Sequence, residues 1–255
     1  MAGLAGLAAS RFGLLPLGRL SRSTQRATRK ILVAGGAYGT PWIRYMAQLS
    51  GKTRPRILFL PTASADSVQG TLNFYRACAP LNVEPHDQIS FIASSTQKQD
   101  WSDVLLSMDG IFVSGGNTLN QQAIWQAQGI DVILRQAWDR GIVLGGASAG
   151  GLCWFEEGTT DSRPKELSIV HCLGLIRGSY CPHYDAEKDR RPYYMKIVGE
   201  GTLKPGYAMD NDAGVYFEDN TVKRVVTTKA TSKVYKVDRV DGKAVETVLE
   251  GELIS

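Results

Sequence analysis

Acidic residues are missing from the first 65 positions of this 255-residue sequence, while Arg11, Arg19, Arg22, Arg26, Arg29 and Lys30 crowd its start. The formal net charge of +4 comes mostly from that end. The rest of the chain is close to neutral, so overall charge gives no basis for nucleic-acid binding. Cysteine is sparse. Cys78, Cys153, Cys172 and Cys181 never fall at C-x-x-C spacing, which argues against a disulfide scaffold and fits buried thiols in a reducing compartment. The three histidines lie outside H-E-x-x-H and similar ligand patterns, so no metal is expected. Neither glycine-rich loop carries the G-K-S or G-K-T of a phosphate cradle, and Gly35-Gly36-Ala37-Tyr38-Gly39 is not G-x-G-x-x-G. No cofactor is expected. No apolar run reaches the length of a membrane span, so no membrane partner is expected either.

Residues 1–30 stand apart: Arg-rich, acid-free and broken by Gly and Pro. Their composition fits an organelle-targeting peptide, and equally a disordered extension or an upstream start codon. Otherwise the chain reads as cytoplasmic. Apolar residues make up 43 % of the sequence, enough for a sizeable core, and residues 31–255 read as one domain.

Short apolar strands are predicted at Ile31–Ala34, Arg56–Leu60, Gln88–Ala93, Ile111–Ser114 and Ile142–Leu144. Helical spacing separates them at Pro41–Leu49, Val68–Cys78, Leu119–Gln128 and Val132–Trp138. Continuous apolar strands alternating with helices predict an α/β fold: a doubly wound, mainly parallel sheet covered on both faces. A further strand is predicted at Leu175–Gly178. After about residue 205, strand-like pieces with Asp219-Asn220 and Asp241-Gly242 turns predict a small antiparallel C-terminal extension.

The strongest chemical signal is Gly146-Ala147-Ser148-Ala149-Gly150. A buried strand runs into G-x-S-x-G and then a predicted helix, the context of a nucleophile elbow. Ser148 is the candidate nucleophile, and the Ala149 N–H a candidate oxyanion donor. Gly35-Gly36 reads either as a tight turn or as a close backbone approach to the site at a strand's C-terminal end. His183, in the Pro-flanked loop Cys181-Pro182-His183-Tyr184, is the candidate base. His171 and His86 are weaker, the latter placed at the far end of the sheet. A third group must hold the imidazole. Asp161 is the first candidate, with Glu156, Glu157, Asp210 and Asp212 as alternatives, the two glutamates on a predicted helix.

These pieces, with Gly115-Gly116-Asn117-Thr118, Thr159-Thr160-Asp161, Pro182-His183-Tyr184 and the Met209–Gly214 turn, resemble the aspartyl dipeptidase (dipeptidase E) and cyanophycinase family of serine peptidases. The resemblance spans roughly residues 31–217. It implies a fold like the class I glutamine amidotransferases, with Ser148 in place of their cysteine. It also implies a Ser148–His183–Asp161 triad, a second oxyanion amide at Gly116, and Asn117 beside it for substrate. Amide hydrolysis of a small peptide through an acyl-enzyme follows. Dipeptidase relatives prefer an N-terminal Asp, whose carboxylate needs a cation. Arg190 and Arg191 are candidates, Arg191 the stronger. Trp154-Phe155 and Arg191-Pro192-Tyr193-Tyr194 depart from the dipeptidase branch. The substrate reading therefore extends to a broader peptidase, a cyanophycin-type isopeptidase or another small amide hydrolase. An ordinary α/β-hydrolase is the rival fold. A non-catalytic protein retaining the elbow would hold Ser148 and His183 apart or have a closed cleft.

Overall fold

The structure is a computed structural model describing residues 26–36, 38–92 and 97–255. The expectation for residues 1–30 thus lies outside the described residues as far as position 25. The stretch just before the first strand is tied down. The Arg29 guanidinium lies 4.0 Å over the Trp138 ring, and Arg26 pairs with Asp139 at 3.2 Å.

The first half alternates as the sequence predicts. It runs β1 (Lys30–Ala34), α1 (Thr40–Ser50), β2 (Arg56–Leu60), α2 (Val68–Cys78), β3 (Glu84–Asp87), α3 (Trp101–Leu105), β4 (Gly110–Val113), α4 (Thr118–Gln128), α5 (Ile130–Asp139) and β5 (Val143–Ala147). Helix ends sit where the chain supplies them. Pro41 opens α1 and left-handed Gly51 closes it; Ser67 caps α2 through the Gly70 N–H. The second half comprises α6 (Ala149–Leu152), β6 (Phe155–Thr160), β7 (Ser168–His171), β8 (Ile176–Cys181), α7 (Arg190–Glu200), β9 (Gly206–Met209), β10 (Ala213–Glu218), β11 (Thr221–Thr227), β12 (Val234–Val240), β13 (Lys243–Leu249) and β14 (Glu252–Leu253).

Two sheets result. The larger has the order β14-β11-β10-β1-β5-β4-β2-β3, with β1, β5, β4, β2 and β3 all parallel. Its central strands are buried on both faces, which is why they read as unbroken apolar runs. Ile31, Val33, Leu58, Leu60, Ile111 and Val113 point to one core, and Leu32, Ala34, Ile57, Phe59 and Phe112 to the other. The smaller sheet has the order β13-β12-β9-β8-β6-β7, and β6, β8 and β9 are parallel. Phe155, Ile176 and Tyr180 from this sheet join the first of those cores.

The structure differs from the sequence expectations in three places. The third strand lies at Glu84–Asp87, not Gln88–Ala93. The Asp66 carboxylate takes the N–H groups of Ser90, Phe91 and Ile92, so those amides bond a side chain instead of a ladder. The helix after the elbow is only four residues long, and Glu156 and Glu157 lie on strand β6. The C-terminal antiparallel strands are divided: β10 and β11 extend the large sheet, while β12 and β13 extend the small one.

No described helix is long and apolar enough to cross a membrane. All four cysteines are free, and burial pushes the Cys78 and Cys181 thiols up to about 12.

Candidate active site

Ser148 stands at the C-terminal end of β5, and sheet order decides its neighbours. Strand β5 runs between β1 and β4, so the loops leaving those strands flank it. These are Gly35-Gly36 on one side and Gly115-Gly116 on the other. Ser148 has φ 54° and ψ −120°, a left-handed conformation that a non-glycine residue adopts only under strain. Surrounding bonds hold it there: its N–H donates to the Ala34 carbonyl at 3.2 Å, and its carbonyl accepts from Gly151 and Leu152 at 2.9 and 2.8 Å. The turn projects the hydroxyl out of the sheet end.

Gly115 packs directly on Ser148; a methyl group at Gly115 would sit 3.3 Å from the serine Cβ. Gly116 has φ 137°, and its α-carbon faces the Ala63 carbonyl too closely for any side chain. The Asn117 N–H bonds that carbonyl at 2.8 Å. Among the described residues, neither the Gly116 nor the Ala149 N–H has an acceptor. Ala149 follows Ser148 directly, and Gly116 follows Gly115, which packs on Ser148.

His183 follows β8 with φ 53°, pinned by its own N–H to the Gly35 carbonyl at 3.2 Å. Its Nε2 lies 2.7 Å from Ser148 Oγ. Its Nδ1 lies 2.6 Å from Oδ1 of Asn211, which follows β9. An amide oxygen only accepts, so Nδ1 carries the proton and Nε2 offers its lone pair to the serine hydroxyl. That is the tautomer a general base requires.

The third position therefore differs from expectation. Strand β8 has β6 on one flank and β9 on the other, so Asp161 and Asn211 both come from strands adjoining the one that delivers His183. The ring's bond goes to the β9 side. Asp161 instead pairs with Arg190 at 3.2 Å, its side chain 67 % exposed. It faces an open cleft of about 490 Å³ shared with Arg163, Lys165, Glu166, Asp189 and Tyr193. The other acids are also engaged elsewhere. Glu156 accepts from the Gly178 N–H, which with Lys204 holds its carboxyl below the usual range. Glu157 accepts from the Lys204 N–H at 2.8 Å. Asp210 accepts from the Lys233 N–H, and burial pushes its carboxyl up. Asp212 accepts from the Thr228 hydroxyl. His171 pairs with Glu157 from β7, and His86 with Glu84 on the edge strand β3.

The expected substrate contacts divide. Asn117 caps α4 through the Asn120 N–H at 2.9 Å and donates to the Ser162 carbonyl at 3.1 Å, so both ends of its amide are occupied. Arg190 is buried. It binds Glu187 at 2.6 Å, the Thr159 carbonyl at 3.0 Å, and Asp161. Arg191 is half exposed, stacks over Tyr184 and Tyr235 at 5.3 and 5.1 Å, and pairs with Glu246.

Asn211 is the residue that reading the sequence for acids misses. It lies within the Met209–Gly214 segment already noted, but a search for a carboxylate passes over an amide. Gly36 is the second. Its α-carbon faces the His183 ring and the Asn211 amide so closely that no side chain fits. The close backbone approach considered for Gly35-Gly36 is thus what the structure contains.

Residues 31–225 match peptidase family S51. The uncharacterised peptidase YgaJ of Bacillus subtilis strain 168 is 42 % identical over 194 residues, covering 76 % of this chain and 83 % of that protein. Among solved structures, a peptidase from an acI-B1 actinobacterium superposes with a TM-score of 0.67 at 14 % identity, covering 89 % of this chain and 96 % of that one. A peptidase E-type protein from Listeria monocytogenes EGD-e gives 0.61 at 17 % identity, covering 80 % and 100 %. At these identities the two structures speak for the fold alone. The match over most of the chain and the curated relative carry the assignment: the chain belongs to peptidase family S51 and is a serine-type peptidase.

Proposed function

We propose that this enzyme hydrolyses short peptides through an acyl-enzyme on Ser148, with His183 as base and Asn211 as the group that orients it. The 2.7 Å approach of His183 Nε2 to Ser148 Oγ carries the reading. His183 takes the hydroxyl proton as Oγ attacks the scissile carbonyl. The Gly116 and Ala149 amides receive the developing oxyanion. The imidazolium then protonates the leaving amine, and the neutral ring activates the water that releases the acid product. A Ser-His-Asn set differs from Ser-His-Asp in charge but retains the orienting hydrogen bond, as the Cys-His-Asn set of papain-like proteases does.

For the substrate we propose small free peptides, an N-terminal Asp among them. Arg191 is the candidate for its carboxylate, because it is half exposed and stacks on Tyr184, the neighbour of His183. Arg190 is assigned to the scaffold. The test compares wild type with Ser148→Ala on free and N-blocked dipeptides, including Asp-Leu and Glu-Leu, by amine release. Hydrolysis of at least one free dipeptide is expected, with a loss of at least about 10³-fold in the variant. Equal rates in the two proteins would overturn the assignment of Ser148.

A further inference from the structure

We infer that Asp185 is a positioning residue for the catalytic site, acting by a hydrogen bond from its carboxylate to the backbone of Asn211. The inference rests on the Ser148–His183–Asn211 reading above.

Asn211 lies in the connection between β9 and β10, and three bonds fix it. Its side-chain oxygen meets His183 Nδ1 at 2.6 Å. Its carbonyl accepts from the Gly36 N–H at 3.1 Å. Its own N–H donates to Asp185 Oδ1 at 2.9 Å. Asp185 belongs to the loop that presents His183. There the Ala186 and Glu187 N–H groups fold back on the His183 carbonyl at 3.2 and 3.1 Å. The contacts close a ring: His183 imidazole, Asn211 amide, Asn211 N–H, Asp185 carboxylate, then two residues of backbone back to His183. The two loops leave the paired strands β8 and β9, which the Tyr184 N–H also joins through the Met209 carbonyl at 3.1 Å. Beyond that pairing, the His183 and Asp185 contacts to Asn211 align the loop ends, 28 residues apart in sequence.

A neutral amide makes this spacing matter. A carboxylate attracts an imidazolium by charge over a range of distances; an amide acts through a directional hydrogen bond that fails when misaligned. Asp185 is exposed, and among the described residues its carboxylate makes no hydrogen bond to Ser148 or to the His183 ring. Its contribution is therefore geometry, and a displacement on the order of 1 Å near reacting groups costs up to about 10²-fold in rate.

The test uses full-length enzyme and a dipeptide that wild type cleaves, with thermal melts to confirm that each variant is folded. Asp185→Ala is expected to lower kcat by about 10- to 10²-fold with little change in KM. Asp185→Asn retains an acceptor oxygen and is expected to stay within about threefold of wild type. In the Asn211→Ala background, Asp185→Ala should add almost nothing, because both act through one contact. Wild-type activity in Asp185→Ala, an equal loss in Asp185→Asn and Asp185→Ala, or fully additive losses would each overturn the inference. If Asn211→Ala is impaired while Asp185→Ala is not, only this inference falls. If Asn211→Ala keeps wild-type activity, the triad reading falls and takes this one with it.

Discussion

The side-chain oxygen of Asn211 lies 2.6 Å from Nδ1 of His183, whose Nε2 lies 2.7 Å from Ser148 Oγ. An uncharged group occupies the place where an acid is expected. Its consequences can be measured.

Asn211→Asp puts a carboxylate at the same hydrogen-bond distance, and the enzyme is expected to remain active. An anion beside a base favours the protonated ring, so the acidic limb of the kcat/KM profile should move to higher pH. A pH series on both proteins checks this. An unmoved limb would mean that residue 211 does not meet the catalytic imidazole during turnover.

Asp161 and Arg190 should respond very differently despite being partners. The Asp161 side chain is 67 % exposed, and Arg190 keeps Glu187 and the Thr159 carbonyl without it. Asp161→Asn is expected to change activity less than about threefold and stability by under about 1 kcal/mol. Arg190→Ala leaves the buried Thr159 carbonyl without its donor, while the half-exposed Glu187 turns to solvent, at a cost of about 1–3 kcal/mol by denaturant titration. Loss of activity in a fully stable Asp161→Asn would restore Asp161 to the chemistry.

Gly36→Ala tests the packing around the ring. The added methyl group would meet both the His183 ring and the Asn211 amide, so one of them must move. At least about a tenfold loss in kcat is expected, with the melting temperature changed much less. Activity equal to wild type would mean that the ring and the amide can shift without consequence.

Much of the fold was legible because its signals are local. Ile31–Ala34, Arg56–Leu60 and Ile111–Ser114 are short apolar runs bounded by turn residues, the pattern of strands buried on both faces. Val68–Cys78 and Leu119–Gln128 carry helical spacing, capped by Ser67 and Asn117. The elbow was legible for the same reason: strand, small residues, serine and helix are consecutive. The third strand was not legible, since the Asp66 carboxylate that draws Ser90, Phe91 and Ile92 out of the ladder is 24 to 26 positions away.

By itself, then, the sequence pointed to a parallel α/β core, a serine in the sharp turn that ends one of its strands, and a histidine in a later Pro-flanked loop as its candidate base. The first two follow from residues adjacent in the chain, whereas the approach of that histidine, 35 positions away, comes from the sheet order. Only the tertiary structure decided which side chain holds that histidine. Strand β8 stands between β6 and β9, so Asp161 and Asn211 compete from opposite flanks. The ring turns toward β9, where Gly36, lacking a side chain, leaves room for it beside the amide, while the buried guanidinium of Arg190 holds the Asp161 carboxylate.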